Sequence, residues 1–289
     1  GDTTLLREHY QGMKHWVEYL QTRTDDKGIV VREEPNGWCL GEWSTPHNRI
    51  EIPASLVNTA YFYHVTCIMA DVAGILNKKD DEHHLRTLVE TIRKNFNAAF
   101  YNEATHHYGE GKQGADAFAL AFGIVPEGKR EKVFAALLGH LEKVNYHFDT
   151  GILATPLLLQ VLTENGRADL AYKLMNQRDF PSYGYLADKK NNTLWETWNG
   201  DGNDEGCGHF HPMFGSVVAW FYHSLAGIKP DQSDPGMKHF YIEPMIVPDL
   251  KYCRATYDSQ YGKISSDWKI DENGNLNLKI EVPANTSAT

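Results

Sequence analysis

The sequence predicts a mainly helical protein with a β tail. Residues 1–228 read as a portion of an α/α barrel, and residues 229–289 as a small antiparallel β-sandwich. Three observations predict this. Apolar residues recur at helical spacing through most of the first 226 positions. After Lys229 the texture changes to short segments that alternate in polarity. No internal repeat occurs, so antiparallel helix pairs suit a closed α/α barrel better than a solenoid.

Each element has its own signal. Residues 5–20 form a helix that Thr3 or Thr4 is expected to cap, and the chain reads as starting in the middle of an architecture. Residues 57–76 are apolar but broken by Asn58, His64 and Asp71, far from the roughly 18 to 20 apolar residues that span a bilayer. Over residues 80–101, Leu85, Leu88, Val89, Ile92, Phe96 and Phe100 fall on one helix face. Val133, Phe134, Leu137, Leu138 and Leu141 do the same over residues 129–144. Residues 153–162 are nearly all apolar and predict a helix buried on most sides. Asn165-Gly166 stops it, residues 168–175 form the next helix, and residues 212–225 the last, closed by Gly227. Two long loops separate these helices: residues 24–52 with Trp38, Trp43 and Pro46, and residues 176–208 with an aromatic cluster. Loops of that length inside a compact domain are usually functional or disordered, and their tryptophans speak against disorder. In the tail, strands are expected at residues 240–242, 255–257, 262–270 and 276–282. Ile264, Ser266, Trp268 and Ile270 share one face, and Asn273-Gly274 marks a hairpin. The β domain reads as stopping at residues 285–289, before its final strand.

The composition, 42% hydrophobic and 23% charged, is that of an ordinary globular protein. A formal charge of -10 argues against a nucleic-acid backbone or an anionic membrane as partner. The N-terminus lacks the zones of a signal peptide. Cys39, Cys67, Cys207 and Cys253 form no CxxC pair, so neither a zinc knuckle nor a disulfide framework is suggested, and the compartment stays open. No GxGxxG, P-loop, GxSxG or HExxH pattern appears, which leaves nucleotide cofactors, serine hydrolysis and zinc proteolysis unsupported.

The chemistry points elsewhere. In the stretch from Asn192 to Trp198, Glu196 lies between Trp195 and Trp198, just beyond Pro181-Ser182-Tyr183-Gly184-Tyr185. Aromatic faces bind the C–H faces of sugars, and a carboxylate among them can activate water or steady a cationic sugar transition state. A general base must stay ionised at working pH, so hydrogen-bond donors are expected around Glu196. The bland alternative is a solvated loop carboxylate. His211, in His209-Phe210-His211-Pro212-Met213-Phe214-Gly215, reads either as a core histidine or as a contact to a sugar hydroxyl. Gly41-Glu42-Trp43 reads equally as a core plug or as a stacking platform with a carboxylate that grips hydroxyls. Asp149-Thr150-Gly151 reads as a helix-entry cap. The run 201–206 faintly resembles a calcium loop, but Pro212 stands where a closing glutamate is needed, and no metal site is expected.

These motifs, in this order, resemble the C-terminal half of the α-L-rhamnosidases of glycoside hydrolase family 78. The family's glycine-acid-Trp, Thr-Gly, Pro-Ser-aromatic-Gly-Tyr and Thr-x-Trp-Glu-x-Trp segments match Gly41-Glu42-Trp43, Asp149-Thr150-Gly151, Pro181 to Tyr185 and Thr193 to Trp198. Its Asn-His-x-x-Phe-Gly-Ser segment matches Phe210 to Ser216. The resemblance implies an (α/α)6 barrel followed by a β-sandwich, and inverting hydrolysis of terminal α-L-rhamnosides with no cofactor. It implies Glu196 as general base, with Trp43, Glu42, Trp195, Trp198, His211 and Tyr183 against the sugar. The chain departs from the family in four ways. Glu42 stands where Asp is usual and Phe210 where Asn is usual, the Arg-Asp-Glu-Arg-like segment that carries the general acid is absent, and so are the barrel's first helices. The implied partners are a rhamnose-containing oligosaccharide or glycoside and a missing N-terminal half of the same enzyme. Alternatives are another α/α-barrel glycosidase, a lyase, a disaccharide phosphorylase, or a non-catalytic carbohydrate-binding protein.

Overall fold

The computed structural model describes residues 2–31, 41–47, 51–189, 193–199 and 208–289, with the side chain of residue 213 left out. Trp38, Cys39, Cys207 and the run 201–206 fall outside these ranges.

The helical part runs α1 (Thr4–Thr22), α2 (Ala54–Ile75), α3 (Lys79–Phe100), α4 (Gln113–Ala121), α5 (Arg130–Lys143), α6 (Ala154–Glu164), α7 (Ala168–Asn176), α8 (Tyr183–Asp188), α9 (Pro212–Gly215) and α10 (Val217–Trp220), the last leading into a π-helical turn, Phe221–Leu225. The chain reverses sharply between neighbours. At the end of α2, Asn77 takes a left-handed φ of 55°, and the Lys78 N–H reaches back to the Ala73 carbonyl. Two orphan carbonyls are satisfied in that turn and α3 is sent back along α2. Gly166 ends α6 in the same way, as its sequence position predicts, with the Arg167 N–H on the Leu162 carbonyl. α2 packs on α3, α4 on α6, and α6 on α7. One continuous core fills the space between them, built on Phe62, Phe96, Phe118, Leu137, Leu158 and Trp198.

α4 has no counterpart among the expected elements, and the reason is physical. Every residue from Gln113 to Leu120 is buried, so there is no polar face to set a period against the apolar one. α1 is capped differently from the expectation: Asp2 Oδ1 accepts the Thr4 N–H at 2.8 Å, and Thr3 makes no side-chain cap. The helix expected over residues 212–225 is broken. The Trp220 indole donates to Thr163 Oγ1 at 2.7 Å, while the Ser224 and Leu225 carbonyls leave the helix for the Met245 N–H and the Trp268 indole. The last turn widens to an i→i−5 bond from Ala226 to Phe221.

The tail folds as two three-stranded sheets. One has the order β1 (Ile228–Pro230), β2 (His239–Ile242), β6 (Ser287–Ala288); the other has β3 (Tyr252–Ser259), β4 (Gly262–Ile270), β5 (Leu276–Glu281). Ile228, Phe240 and Ile264 share a small core, so the sheets pack face to face. One detail differs from expectation. β6 pairs with β2 in parallel, so the first sheet is mixed and not purely antiparallel. The expected hairpin joins β4 to β5, with the Gly274 N–H donating to Asp271.

Candidate active site

Three loops, each running into the start of a helix, build the site. The first is residues 41–47 ahead of α2. The second is Phe148-Asp149-Thr150-Gly151 ahead of α6. The third is the pair 193–199 and 208–211 ahead of α9.

The first two loops are tied by Glu42. Its Oε1 accepts the Gly151 N–H at 2.6 Å and the Ala154 N–H at 3.0 Å, while the Trp43 carbonyl accepts the Ile152 N–H at 2.9 Å. Glu42 therefore caps α6 from more than a hundred residues away. Asp149, the expected cap, instead pairs with His140 Nε2 at 2.6 Å and accepts the Gln113 N–H at 3.1 Å. Glycine is needed at 151 because a Cβ there would meet the Trp43 carbonyl oxygen at 1.8 Å. Burial pushes the Glu42 carboxyl up to about 7, against the Ala154 and Gly151 amides that pull it down. It is only 5% exposed, so the expected grip on sugar hydroxyls through Oε1 is not what the geometry offers. The Trp43 indole, by contrast, is 37% exposed.

The third loop is a two-stranded clamp. The Glu196 N–H donates to the Gly208 carbonyl at 2.9 Å, the His211 N–H to the Leu194 carbonyl at 2.9 Å, and Thr193 Oγ1 to the His209 carbonyl. The Gly208 N–H donates to Glu196 Oε2 at 2.8 Å. A Cβ built on Gly208 would meet both Glu196 Oε2, at 3.3 Å, and the His211 ring, at 3.8 Å, so carboxylate and imidazole lie over the same backbone position. Trp195 stacks flat on His209, centroids 3.9 Å apart and planes 5° apart. Both Glu196 and His211 are half-buried, open to solvent on one side.

The two tryptophans around Glu196 have different jobs. Trp198 is 1% exposed and cannot meet a ligand, which corrects its expected place against the sugar. It stacks on Phe148 at 5.0 Å, meets Tyr183 edge-on at 5.3 Å and Phe214 at 4.4 Å, and donates its indole N–H to the Thr150 carbonyl at 2.8 Å. Tyr183 spends its hydroxyl on the Phe214 carbonyl at 2.9 Å, and burial raises its pKa. Trp198 and Tyr183 thus brace the loop from beneath, while Trp195 and Trp43 keep exposed ring surface. Sequence reasoning missed Gly208 and Phe148. Neither carries a motif of its own, and only their contacts with Glu196 and Trp198 mark them. Among the described residues no cluster of His, Cys, Asp or Glu could hold a metal ion, and no helix is long and apolar enough to cross a membrane.

Residues 1–225 match the family described as the bacterial alpha-L-rhamnosidase 6 hairpin glycosidase domain, and residues 227–289 the bacterial alpha-L-rhamnosidase C-terminal domain. An alpha-L-rhamnosidase of Formosa agariphila is 32% identical over the whole chain, which spans 31% of that relative. One of Streptomyces avermitilis is 33% identical, with 27% spanned. The fold superposes on the Streptomyces avermitilis enzyme solved with L-rhamnose, with a TM-score of 0.87 at 32% identity, and on the alpha-L-rhamnosidase from Dictyoglumus thermophilum, with 0.89 at 34%. The chain is fully covered in both cases and spans 27% and 32% of those chains.

Proposed function

The chain belongs to the bacterial α-L-rhamnosidase six-hairpin glycosidase family, and we propose that it carries the general-base half of an inverting site for terminal α-L-rhamnosides. In this reading Glu196 takes a proton from the attacking water, His211 binds a sugar hydroxyl, and the exposed faces of Trp195 and Trp43 meet the C–H face of the ring. One observation carries it: the Glu196 carboxylate, fixed by the Gly208 N–H at 2.8 Å, faces the same backbone position as the His211 ring. An amide donor that holds a carboxylate in one rotamer is what a base needs before water arrives. The ring surface that Trp195 keeps exposed next to Glu196 suits a pyranose.

Inversion needs a second carboxyl roughly 6.5 to 9.5 Å from the first, with water between them. Glu42 is committed to the α6 amides. The matched relatives are several times the length of this segment, spanned only to 27–31%, and we place the acid in that additional chain. No cofactor enters the chemistry.

Titrating the chain with L-rhamnose, followed by indole fluorescence, tests the binding half. Saturation is expected in the wild type and its loss in His211→Ala; a wild type blind to the sugar sinks the assignment. The catalytic half is tested on an aryl α-L-rhamnoside in the longer enzyme. There Glu196→Ala is expected to cut turnover by roughly 10²- to 10⁴-fold, with the β-anomer as first product by NMR. Binding without hydrolysis in that enzyme would instead make this a carbohydrate-binding protein.

A further inference from the structure

We propose that Gln113, far from the sugar itself, is a positioning residue for the site: it fixes where the segment 147–151 lies, and through it the spacing between the Trp43 loop and the Glu196 loop. The inference rests on the reading of Glu196 above.

Both loops lean on that segment and the residue after it. Phe148 stacks on Trp198 at 5.0 Å, and the Thr150 carbonyl accepts the Trp198 indole N–H at 2.8 Å, two residues past Glu196. The Gly151 N–H donates to Glu42 at 2.6 Å, and the Ile152 N–H to the Trp43 carbonyl at 2.9 Å. A shift of the segment therefore moves one loop against the other.

The first residue of α4 grips the same segment. The Gln113 N–H donates to Asp149 Oδ1 at 3.1 Å, and the Asp149 N–H donates back to Gln113 Oε1 at 3.2 Å. Gln113 Nε2 donates to the His147 carbonyl at 2.7 Å. Asp149 Oδ2 is held in turn by His140 Nε2 at 2.6 Å. One side chain thus meets a backbone donor and a backbone acceptor two residues apart. Glutamine carries both groups at its tip; glutamate cannot donate, methionine can do neither, and asparagine has a shorter stem. Gln113 is fully buried, so a bond left unmade would cost the desolvation of a polar group, and the side chain is confined to this arrangement. Its anchor is firm as well. Every residue from Gln113 to Leu120 is buried, and α4 packs on α5 and α6.

The test titrates the full chain with L-rhamnose by calorimetry, with the fold of each variant checked by near-UV circular dichroism. Gln113→Met keeps the bulk and loses the side-chain bonds, and it is expected to weaken binding roughly tenfold. Asp149→Ala should weaken it as far. Asp149→Asn, whose oxygen still accepts the Gln113 N–H, should restore it to within about twofold of the wild type. A role in stability alone would lower the melting temperature of these variants and leave the affinity of the folded chain where it was. If Gln113→Met does not fold, the contrast between Asp149→Ala and Asp149→Asn decides. Wild-type affinity in folded Gln113→Met or in Asp149→Ala, or equal losses in Asp149→Ala and Asp149→Asn, overturn this inference, and a loss of binding in His211→Ala then leaves the Glu196 site standing. The expected pattern in the clamp variants with no loss in His211→Ala keeps the clamp and overturns the Glu196 reading. A wild type that does not bind rhamnose overturns both.

Discussion

Two tryptophans three positions apart make opposite predictions. Trp198 is fully buried among Phe148, Tyr183 and Phe214 with its indole N–H satisfied, so Trp198→Ala opens a cavity and leaves the Thr150 carbonyl unpaired. It should cost about 3–5 kcal/mol in denaturant unfolding. Trp195 lies on His209 at the surface of the clamp, and Trp195→Ala should cost little stability and weaken rhamnose binding instead. Equal destabilisation by the two would contradict the division of labour drawn above. Glu42 gives a pH prediction with a definite sign. Its carboxyl rises from an ordinary 4.5 to about 7 in the folded chain, so the folded state holds the proton more tightly than the unfolded one. Its contribution is full below pH 4.5, is lost as pH rises from 4.5 to 7, and then levels off. The loss is of order 3 kcal/mol at most. Melting curves between pH 4 and 8 should show wild-type stability falling relative to Glu42→Gln, whose side-chain oxygen still accepts both amides. Parallel curves would dismiss the effect. The sequence singled out Glu196, His211 and Trp43 by residue type, and the structure brings the Glu196 carboxylate and the His211 ring together over Gly208. Sequence alone did not separate Trp195 from Trp198, because alternation along a loop does not say which side faces the core.

At the scale of elements, the site depends on how two helices begin. α8 starts at Ser182, whose buried Oγ accepts the Tyr185 N–H at 3.0 Å and donates to the Gln177 carbonyl at 2.6 Å. Ser182→Ala should cost about 1 kcal/mol and loosen Tyr183 from Trp198, which red-shifted tryptophan emission would report. α6 starts where Gly151 passes under the Trp43 carbonyl. Gly151→Ala cannot fit without separating the two loops, and it should lower both stability and sugar affinity; unchanged affinity would mean that the loops act independently. Amphipathic helices such as α3 and α5 were legible because solvent gives them a polar face. α4 was not, because burial on all sides erases the period, and neither was α8, a single capped turn within an aromatic loop. The break in the helix after Pro212 was also hidden. Its C-terminal end is held at long range, where the Ser224 and Leu225 carbonyls accept from Met245 and Trp268, residues that belong to the β part.

Across the whole molecule, the fold class was legible from the change of period after Lys229, but the exposure of particular faces was not, because it depends on what lies beside them. In the tail, Leu276, Leu278 and Ile280 pair in register with Ile270, Trp268 and Ser266 and so share their face, yet they are 47%, 42% and 47% exposed while Trp268 and Ser266 are fully buried. On the helical side, Trp16 and Ile68 are 53% and 46% exposed along a cavity of about 600 Å³ that Met13, Val17, Val65 and Met69 also line. Soluble monomers rarely leave contiguous apolar patches larger than a few hundred Å² uncovered. The chain by itself should therefore self-associate across the micromolar range in sedimentation velocity and bind a hydrophobic dye. Trp16→Lys with Ile68→Lys should shift it towards monomer, as should Leu278→Lys. Stability should change little, since these side chains are already open to water and such surface changes usually fall within about 0.5 kcal/mol. If the wild type sediments as a monomer without binding dye, these faces carry no adhesive energy, and their exposure is the scattered kind that any surface tolerates.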